Sequence, residues 1–392
     1  MAGLGVRAAL LKVHLWVGMA AALFLFALGL SGALLTFEDI IDPALNASAW
    51  YVKPQGTPLK LTQIMQTIGQ AFPQSTLEEL VLPQKPDETV KIVSLLSTGR
   101  EVAIGVNPYT GEIVGRRIDQ QLRPMLLIRK FHTHLLIRGR SGHVIVTIAA
   151  CCLLGLAVTG IVLWWPRKIF KLRGGTSHNV IFDLHQVLGL WSSACVLLFA
   201  LTGIAIGLED QVNRWALAAS QMQPMPWPTA KPPAVGVSPL TPDELLTKAE
   251  SIAQGARPIG LDFDSPTDPA LVIMKFPEDH LGRTWVILDR YTGDVLRFDS
   301  TRAMPVALKY ARLWNQEIHT GEVFGWPTRI LACIFSLAVA ALSVTGPWIW
   351  WNRSRVQRSR TADRLQNRGL LIQRSLRRTS PSDGRTPMPG GR

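Results

Sequence analysis

The sequence predicts an α-helical membrane protein: a four-helix transmembrane bundle built from a duplicated span–domain–span unit, with two small α+β domains on one side. Three observations predict it. Four charge-free apolar stretches (15–37, 144–165, 187–208 and 330–351) each reach the about 20 residues a helix needs to cross a bilayer. Alternating apolar and polar runs, punctuated by turn residues, fill the two long stretches between them. The chain also repeats itself. Composition agrees, since 47% of the 392 residues are apolar and only 18% charged, which argues against a disordered chain.

The elements follow in order. Residues 1–14 are a basic N-terminal segment and 15–37 the first span. Its apolar run is too long for a signal peptide, and LTFEDIID offers no small-residue cleavage site, so it reads as retained. Residues 38–125 form the first soluble domain, with a helix near 61–72 and EVAIGVNPYTGEIVGRR as strand, turn, strand. Residues 126–165 hold a histidine-rich approach, FHTHLLIRGRSGH, and the second span. A short loop, 166–178, leads to the third span, 179–208. Residues 209–315 form the second soluble domain, with a helix near 242–254 and RTWVILDRYTGDVLRFD as the matching hairpin. Within it the Pro-rich stretch 221–239 reads as an extended connector. Residues 316–351 give the approach EIHTGEVFG and the fourth span, and 352–392 an Arg-rich tail expected to be disordered.

Basic residues set the orientation. Arg7 and Lys12 precede span one. Arg167, Lys168, Lys171 and Arg173 follow span two, and eleven arginines against Asp363 and Asp383 follow span four. All three segments are placed in the cytoplasm, and both soluble domains on the far side of a bacterial inner membrane. The net charge of +13 is therefore a topology signal. It needs no nucleic-acid partner, and the tail faces lipid headgroups. Cys151, Cys152, Cys195 and Cys333 sit inside apolar runs without CxxC or CxxCH. That argues against a disulfide scaffold, a zinc site and covalently attached haem.

The repeat is ordered. HLWVGMAAALFLFALGLSGALLTFED matches HQVLGLWSSACVLLFALTGIAIGLED, which pairs His14 with His185, Gly18 with Gly189, Gly32 with Gly203 and Glu38-Asp39 with Glu209-Asp210. AVTGIVLWWPR matches SVTGPWIWWNR, and NPYTGEIVG matches DRYTGDVLR. Both copies begin and end on the same side, so the repeat is parallel, about an axis along the membrane normal.

Seven of the eight histidines lie at or near span ends. Ionisable residues there are functional candidates by default, and neutral imidazole is a common metal ligand. A bundle core can house haem b, which needs only axial ligands and an apolar slot. His14 and His185, each followed by Gly at i+4, form the first candidate pair. At the outer ends the shared His-Thr pairs His132 with His319. His134 and His143 are alternatives to His132 on spacing, because one helix over this segment would put His132 and His143 on one face. His178 lies in the loop, and His280 sits in a polar surface turn. On a straight helix, His319 lies about 48 Å from Trp351 at about 1.5 Å per residue, which places the outer histidines beyond the hydrocarbon core. Pro327 is the candidate bend, and Trp191 and Phe199 the candidate aromatic bridges between the two levels. No P-loop, GxGxxG or HExxH motif is present.

Histidine-bearing spans, paired domains with a Tyr-Thr-Gly turn, and spans ending T-G-x-x-x-W-W, in this order and twice over, resemble the PepSY-associated transmembrane family. These are the iron-regulated membrane proteins that include FoxB-type ferrisiderophore reductases. The resemblance covers about residues 8–355. It implies four helices, two PepSY-like periplasmic domains, and one or two b-type haems, two being expected, held by span histidines. His14, His185 and His319 match the family's histidines and His132 is the fourth, with His134 its rival. It further implies reduction of a ferric siderophore in the periplasm with release of Fe(II). The electrons would come from a separate donor, a quinol or a cytoplasmic reductase. The competing readings are a quinol-linked haem electron carrier with another acceptor, and a non-catalytic PepSY-type sensor.

Overall fold

The computed structural model describes residues 2–119, 123–165, 172, 177–230, 236–263 and 268–379. The first half runs α1 (Ala2–Leu35), α2 (Glu38–Leu45), α3 (Ala47–Trp50), α4 (Leu61–Ala71), β1 (Thr76–Val81), β2 (Val90–Leu95), β3 (Glu101–Val106), β4 (Ile113–Asp119), α5 (Pro124–His134) and α6 (Arg140–Trp164). The second half runs α7 (Ser177–Gly207), α8 (Glu209–Ala219), α9 (Pro242–Ile252), β5 (Arg257–Asp262), β6 (Ala270–Lys275), β7 (Thr284–Leu288), β8 (Val295–Asp299), α10 (Val306–Lys309), a π-helical turn (Tyr310–Trp314), α11 (Asn315–Thr320) and α12 (Trp326–Thr379).

Among the described residues, four helices are long and apolar enough to cross a membrane: Gly5–Leu35, Arg140–Trp164, Asn179–Gly207 and Trp326–Arg358. Leu23, Ile148, Trp191 and Ile334 on them are exposed. An outward apolar belt of this kind belongs to a helix in lipid, where backbone polar groups must bond within the helix. α1 packs most extensively on α12, and α6 on α7; contacts of α1 with α6 and of α7 with α12 close the bundle. Gly29 permits the first of these approaches, since a Cβ there would lie 2.7 Å from the Ser336 carbonyl. α12 does not stop at the membrane boundary but continues to Thr379, where a disordered tail was expected. Its Arg, Gln and Leu residues are good helix formers, and they extend a helix already nucleated. Residues 380–392 and the basic loop with Arg167, Lys168, Lys171 and Arg173 lie outside the described residues.

The soluble part also departs from expectation. It is one sheet rather than two separate domains. All eight strands pair antiparallel in the order β4-β3-β2-β1-β5-β6-β7-β8. The seam pairs Leu80 with Leu261 and Val81 with Gly260. A separate four-stranded sheet would leave β1 or β5 as an open edge, and edge-to-edge pairing removes both. α4 and α9 cover the sheet. Ile64, Ile68, Leu245 and Ala249 meet Leu80, Ile92, Leu261, Val272 and Val286 in one continuous core. The Asp243 carboxylate, in the first turn of α9, accepts the Leu61 and Thr62 amides of α4 at 3.0 and 2.7 Å, so one half caps a helix of the other.

The two hairpins were legible from local chemistry. Asn107 accepts the Tyr109 amide, and Asp289 accepts the Tyr291 and Thr292 amides. Each turn then closes through a glycine at positive φ, Gly111 or Gly293. The Glu-Asp pairs begin α2 and α8. There they face a helix N-terminus that favours acids. Glu38 pairs with Arg129 at 2.6 Å, Asp39 with Arg329, and Asp42 with Arg123.

Because the core is shared across the seam, Leu261→Ala lowers stability by about 2–5 kcal/mol and loosens both halves. Thermal unfolding in detergent, with limited proteolysis read separately in β1–β4 and β5–β8, measures this. Protection lost only in β5–β8 would mean that the seam does not couple the halves.

Candidate functional site

The helical approaches to spans two and four are not straight extensions. Leu135 and Leu136 adopt φ values of 52° and 59°, and Gly139 lies at 77°, so α5 and α6 are separate helices. His132 and His143 therefore do not share a helix face. Gly321 and Gly325, at 81° and 69°, separate α11 from α12 in the same way. Pro327 sits in the first turn of α12 and does not make the bend. Both approaches fold back onto the spans. His132 reaches Ser31 near the end of α1, and His319 reaches Thr202 near the end of α7. The outer histidines thus meet the bundle itself instead of lying far beyond it.

Four imidazoles share one arrangement. His14 Nδ1 lies 2.8 Å from Thr159 Oγ1, and His185 Nδ1 2.8 Å from Thr345 Oγ1. His132 Nδ1 lies 2.9 Å from Ser31 Oγ, and His319 Nδ1 2.9 Å from Thr202 Oγ1. Each hydroxyl also donates to the carbonyl four residues before it: Ser31 to Ala27, Thr159 to Gly155, Thr202 to Leu198 and Thr345 to Ala341. A hydroxyl has one proton. With that proton given to the helix, its oxygen must accept from the ring, so Nδ1 carries the hydrogen. Nε2 then keeps its lone pair, which is the form of imidazole that binds a metal.

The residue after each hydroxyl is glycine. A Cβ on Gly32, Gly160, Gly203 or Gly346 would stand 3.2, 3.5, 3.4 or 3.5 Å from the Cε1 of His132, His14, His319 or His185. The recurring Ser/Thr-Gly dipeptide thus combines a ring anchor with room for the ring.

Two of these rings meet. His132 and His319 bring their centres to 6.4 Å with an interplanar angle of 55°. His14 lies within electrostatic reach of His185. His134 does not join these pairs; it lies beside His143, ring centres 5.4 Å apart. His280 is exposed, and His178 falls in the first turn of α7. His132 and His319 keep some residue surface, yet protein atoms crowd the rings. Desolvation pushes His132 down to about 4. It does the same to His319, where neighbouring His132 adds to the effect. Both are neutral at pH 7.

Between the two levels lies an apolar plug of Ala21, Leu25, Ala149, Val196 and Val339. Phe199 stands edge-on to His319 at 6.0 Å, whereas Trp191 is 68% exposed and does not bridge the levels. A cleft of about 340 Å³ opens beside His14, lined by Val13, Val17, Cys152, Leu156 and Thr159. All four cysteines are free thiols.

Two imidazole nitrogens each about 2 Å from one metal ion, with each ring centre about 1 Å behind its nitrogen, put the ring centres about 6 Å apart. The His132–His319 separation meets that requirement. The sequence named the histidines but missed their hydroxyl anchors; the Thr-Gly dipeptides before the tryptophans, and Ser31-Gly32 and Thr202-Gly203 within the spans, were the available signal.

Thr202→Val keeps the shape and removes the acceptor for His319 Nδ1–H. It lowers stability by about 1–3 kcal/mol, while Thr202→Ser stays close to the parent. Thermal unfolding in detergent measures both, and equal losses would show that the hydroxyl does not anchor the ring.

The model of the PepSY-associated TM region matches residues 11–353, the spans and the sheet together. No curated protein matches the chain. With the match running from the start of the first span through the end of the fourth, the chain belongs to the PepSY-associated transmembrane family.

Proposed function

We propose that the protein is an inner-membrane haem b protein of the FoxB type that carries electrons across the bilayer to ferric siderophores and releases Fe(II). On this reading both chain ends are cytoplasmic, the sheet is periplasmic, and the two halves are duplicated units. The observation that carries it is the four imidazoles whose Nδ1 atoms each lie 2.8 or 2.9 Å from a Ser or Thr hydroxyl that is followed by a glycine. Protein chemistry of this kind prepares a nitrogen ligand and clears space beside it.

His132 and His319 would hold one haem at the sheet end, and His14 and His185 a second at the other end. Bound haem supplies one-electron chemistry at its iron. The chain's own residues do the rest. Ser31, Thr159, Thr202 and Thr345 fix ring orientation and keep the lone pair on Nε2. Seventeen residues separate His14 from Ser31 on α1, and His185 from Thr202 on α7, or about 26 Å along either helix at about 1.5 Å per residue. The apolar plug between the levels excludes water and ions, so electrons cross without opening a leak. At the sheet end the chelate docks. Its hard oxygen donors hold Fe(III) well and Fe(II) poorly, so reduction loosens the iron. The cleft beside His14 opens where a lipid-soluble donor such as a quinol, or a cytoplasmic reductase, would deliver electrons.

Purified protein loaded with haem is expected to show a Soret band that shifts on dithionite reduction, with sharp α and β bands and two haems per chain. His319→Ala removes one haem, and His185→Ala the other. A ferric hydroxamate chelate then reoxidises the reduced parent. A chain that stays colourless with ample haem present overturns the reading. Haem that the chelate leaves reduced would favour an electron carrier with another acceptor.

A further inference from the structure

Of the histidines outside the main site, two lie side by side. His134 is the last residue of α5 and His143 lies in the first turn of α6. Their ring centres are 5.4 Å apart with planes at 26°. His134 Nδ1 is held by Thr133 Oγ1 at 2.8 Å, which leaves Nε2. Among the described residues no hydrogen bond reaches that Nε2 or either ring nitrogen of His143. Both residues are half-exposed on the sheet side of the bundle.

The backbone spends strain to make this pair. Leu135 and Leu136 are consecutive non-glycine residues in the left-handed region, a conformation costing about 1–2 kcal/mol per residue. Gly142 lets the turn close, because a Cβ there would lie 2.0 Å from the His134 carbonyl. Strain of this sort persists where the surroundings enforce it, and often where function uses it. The matching segment before span four lacks the pair. Counted from the shared His-Thr and from Gly139 and Gly325, the corresponding positions are Gly321 and Arg329. Arg329 is bound to the Thr36 carbonyl at 2.6 Å and to Asp39, so that segment is a structural clamp. The first-half segment presents imidazoles instead.

Two imidazoles sharing one metal at a tetrahedral angle, each nitrogen about 2 Å from it, have ring centres about 5 Å apart; the stacked rings of His134 and His143 are already at that separation and reach a shared ion by turning about their side-chain bonds. We propose that His134 and His143 form a two-imidazole site for a divalent first-row transition cation, with Fe(II) released from the reduced chelate as its occupant. The identity of the cation rests on the reductase reading; the binding does not. No third His, Cys, Asp or Glu completes a cluster among the described residues. The remaining positions are left to water or to an oxygen of the departing chelate. Arg138 and Arg140, exposed on the same turn, add repulsion. The site is therefore weak and exchangeable, as a hand-over site must be, and imidazole suits iron of this charge.

The test uses the full chain in detergent. Co(II), and Fe(II) under anaerobic conditions, are titrated by equilibrium dialysis into the parent, His143→Ala and His134→Gln, with thermal unfolding as the folding control. Each variant is expected to lose one bound equivalent, or to bind it at least tenfold more weakly, with unchanged unfolding and unchanged haem absorption. Equal binding in parent and both variants overturns the site and leaves the ring pair as packing. A chain that takes no haem but still loses one Co(II) equivalent in His143→Ala overturns the reductase reading and keeps the site.

Discussion

An imidazole inside a helical bundle needs a partner for its ring N–H, and the partner here is a hydroxyl from a neighbouring span. That one bond, made four times, organises the molecule. The hydroxyl is itself tied to its own helix four residues back, so it offers an oxygen and no proton. The ring must answer with Nδ1–H, and Nε2 is left as a base. The following glycine lies against the ring, most closely at Gly32, where a Cβ would stand 3.2 Å from His132 Cε1. Removing the hydroxyl takes away the partner that orients the ring.

The same bond explains why the short helices α5 and α11 fold back onto the spans. His132 and His319 reach their hydroxyls only because left-handed residues reverse the chain before α6 and α12. Ion pairs secure the reversal. Arg129 and Arg123 on the α5 segment meet Glu38 and Asp42 of α2, and Arg329 at the head of α12 meets Asp39. Arg329 also lies over the Phe37 and Trp326 rings. The exposed Arg129–Glu38 pair adds little stability singly, whereas Asp42 and Arg329 are buried, and together these pairs set where each approach joins the bundle.

Above the bundle the sheet imposes a second constraint. Four strands from each half merge through β1 and β5, and α4 and α9 lie over the joint core. The two halves are thus fixed to each other twice, at the seam and where α1 packs on α12 and α6 on α7. A joined sheet keeps the sheet-side ends of the spans in register, and the His132–His319 pair needs that register because its rings come from different halves. The halves are not equal, however. One approach carries an arginine clamp and the other a pair of imidazoles, so that end of the molecule is asymmetric.

The sequence by itself determined the spans, the two Tyr-Thr-Gly hairpins, the helices near 61–72 and 242–254, and the histidines worth naming. Each is local: a continuous apolar run, an Asx turn closed by glycine, a helical period, an ionisable residue near a span end. It did not determine which histidine faces which. His132, His134 and His143 were equivalent on spacing, and only the left-handed turn at Leu135–Leu136 turns one toward His319 and leaves the other two beside each other. Nor did it determine that the two soluble segments form one sheet, because a strand's alternation fixes which face is buried but not which edge it will pair with. Those decisions belong to contacts between residues more than a hundred positions apart, such as His132 with Ser31 and Leu80 with Leu261, where chain reversal and edge pairing choose the partner.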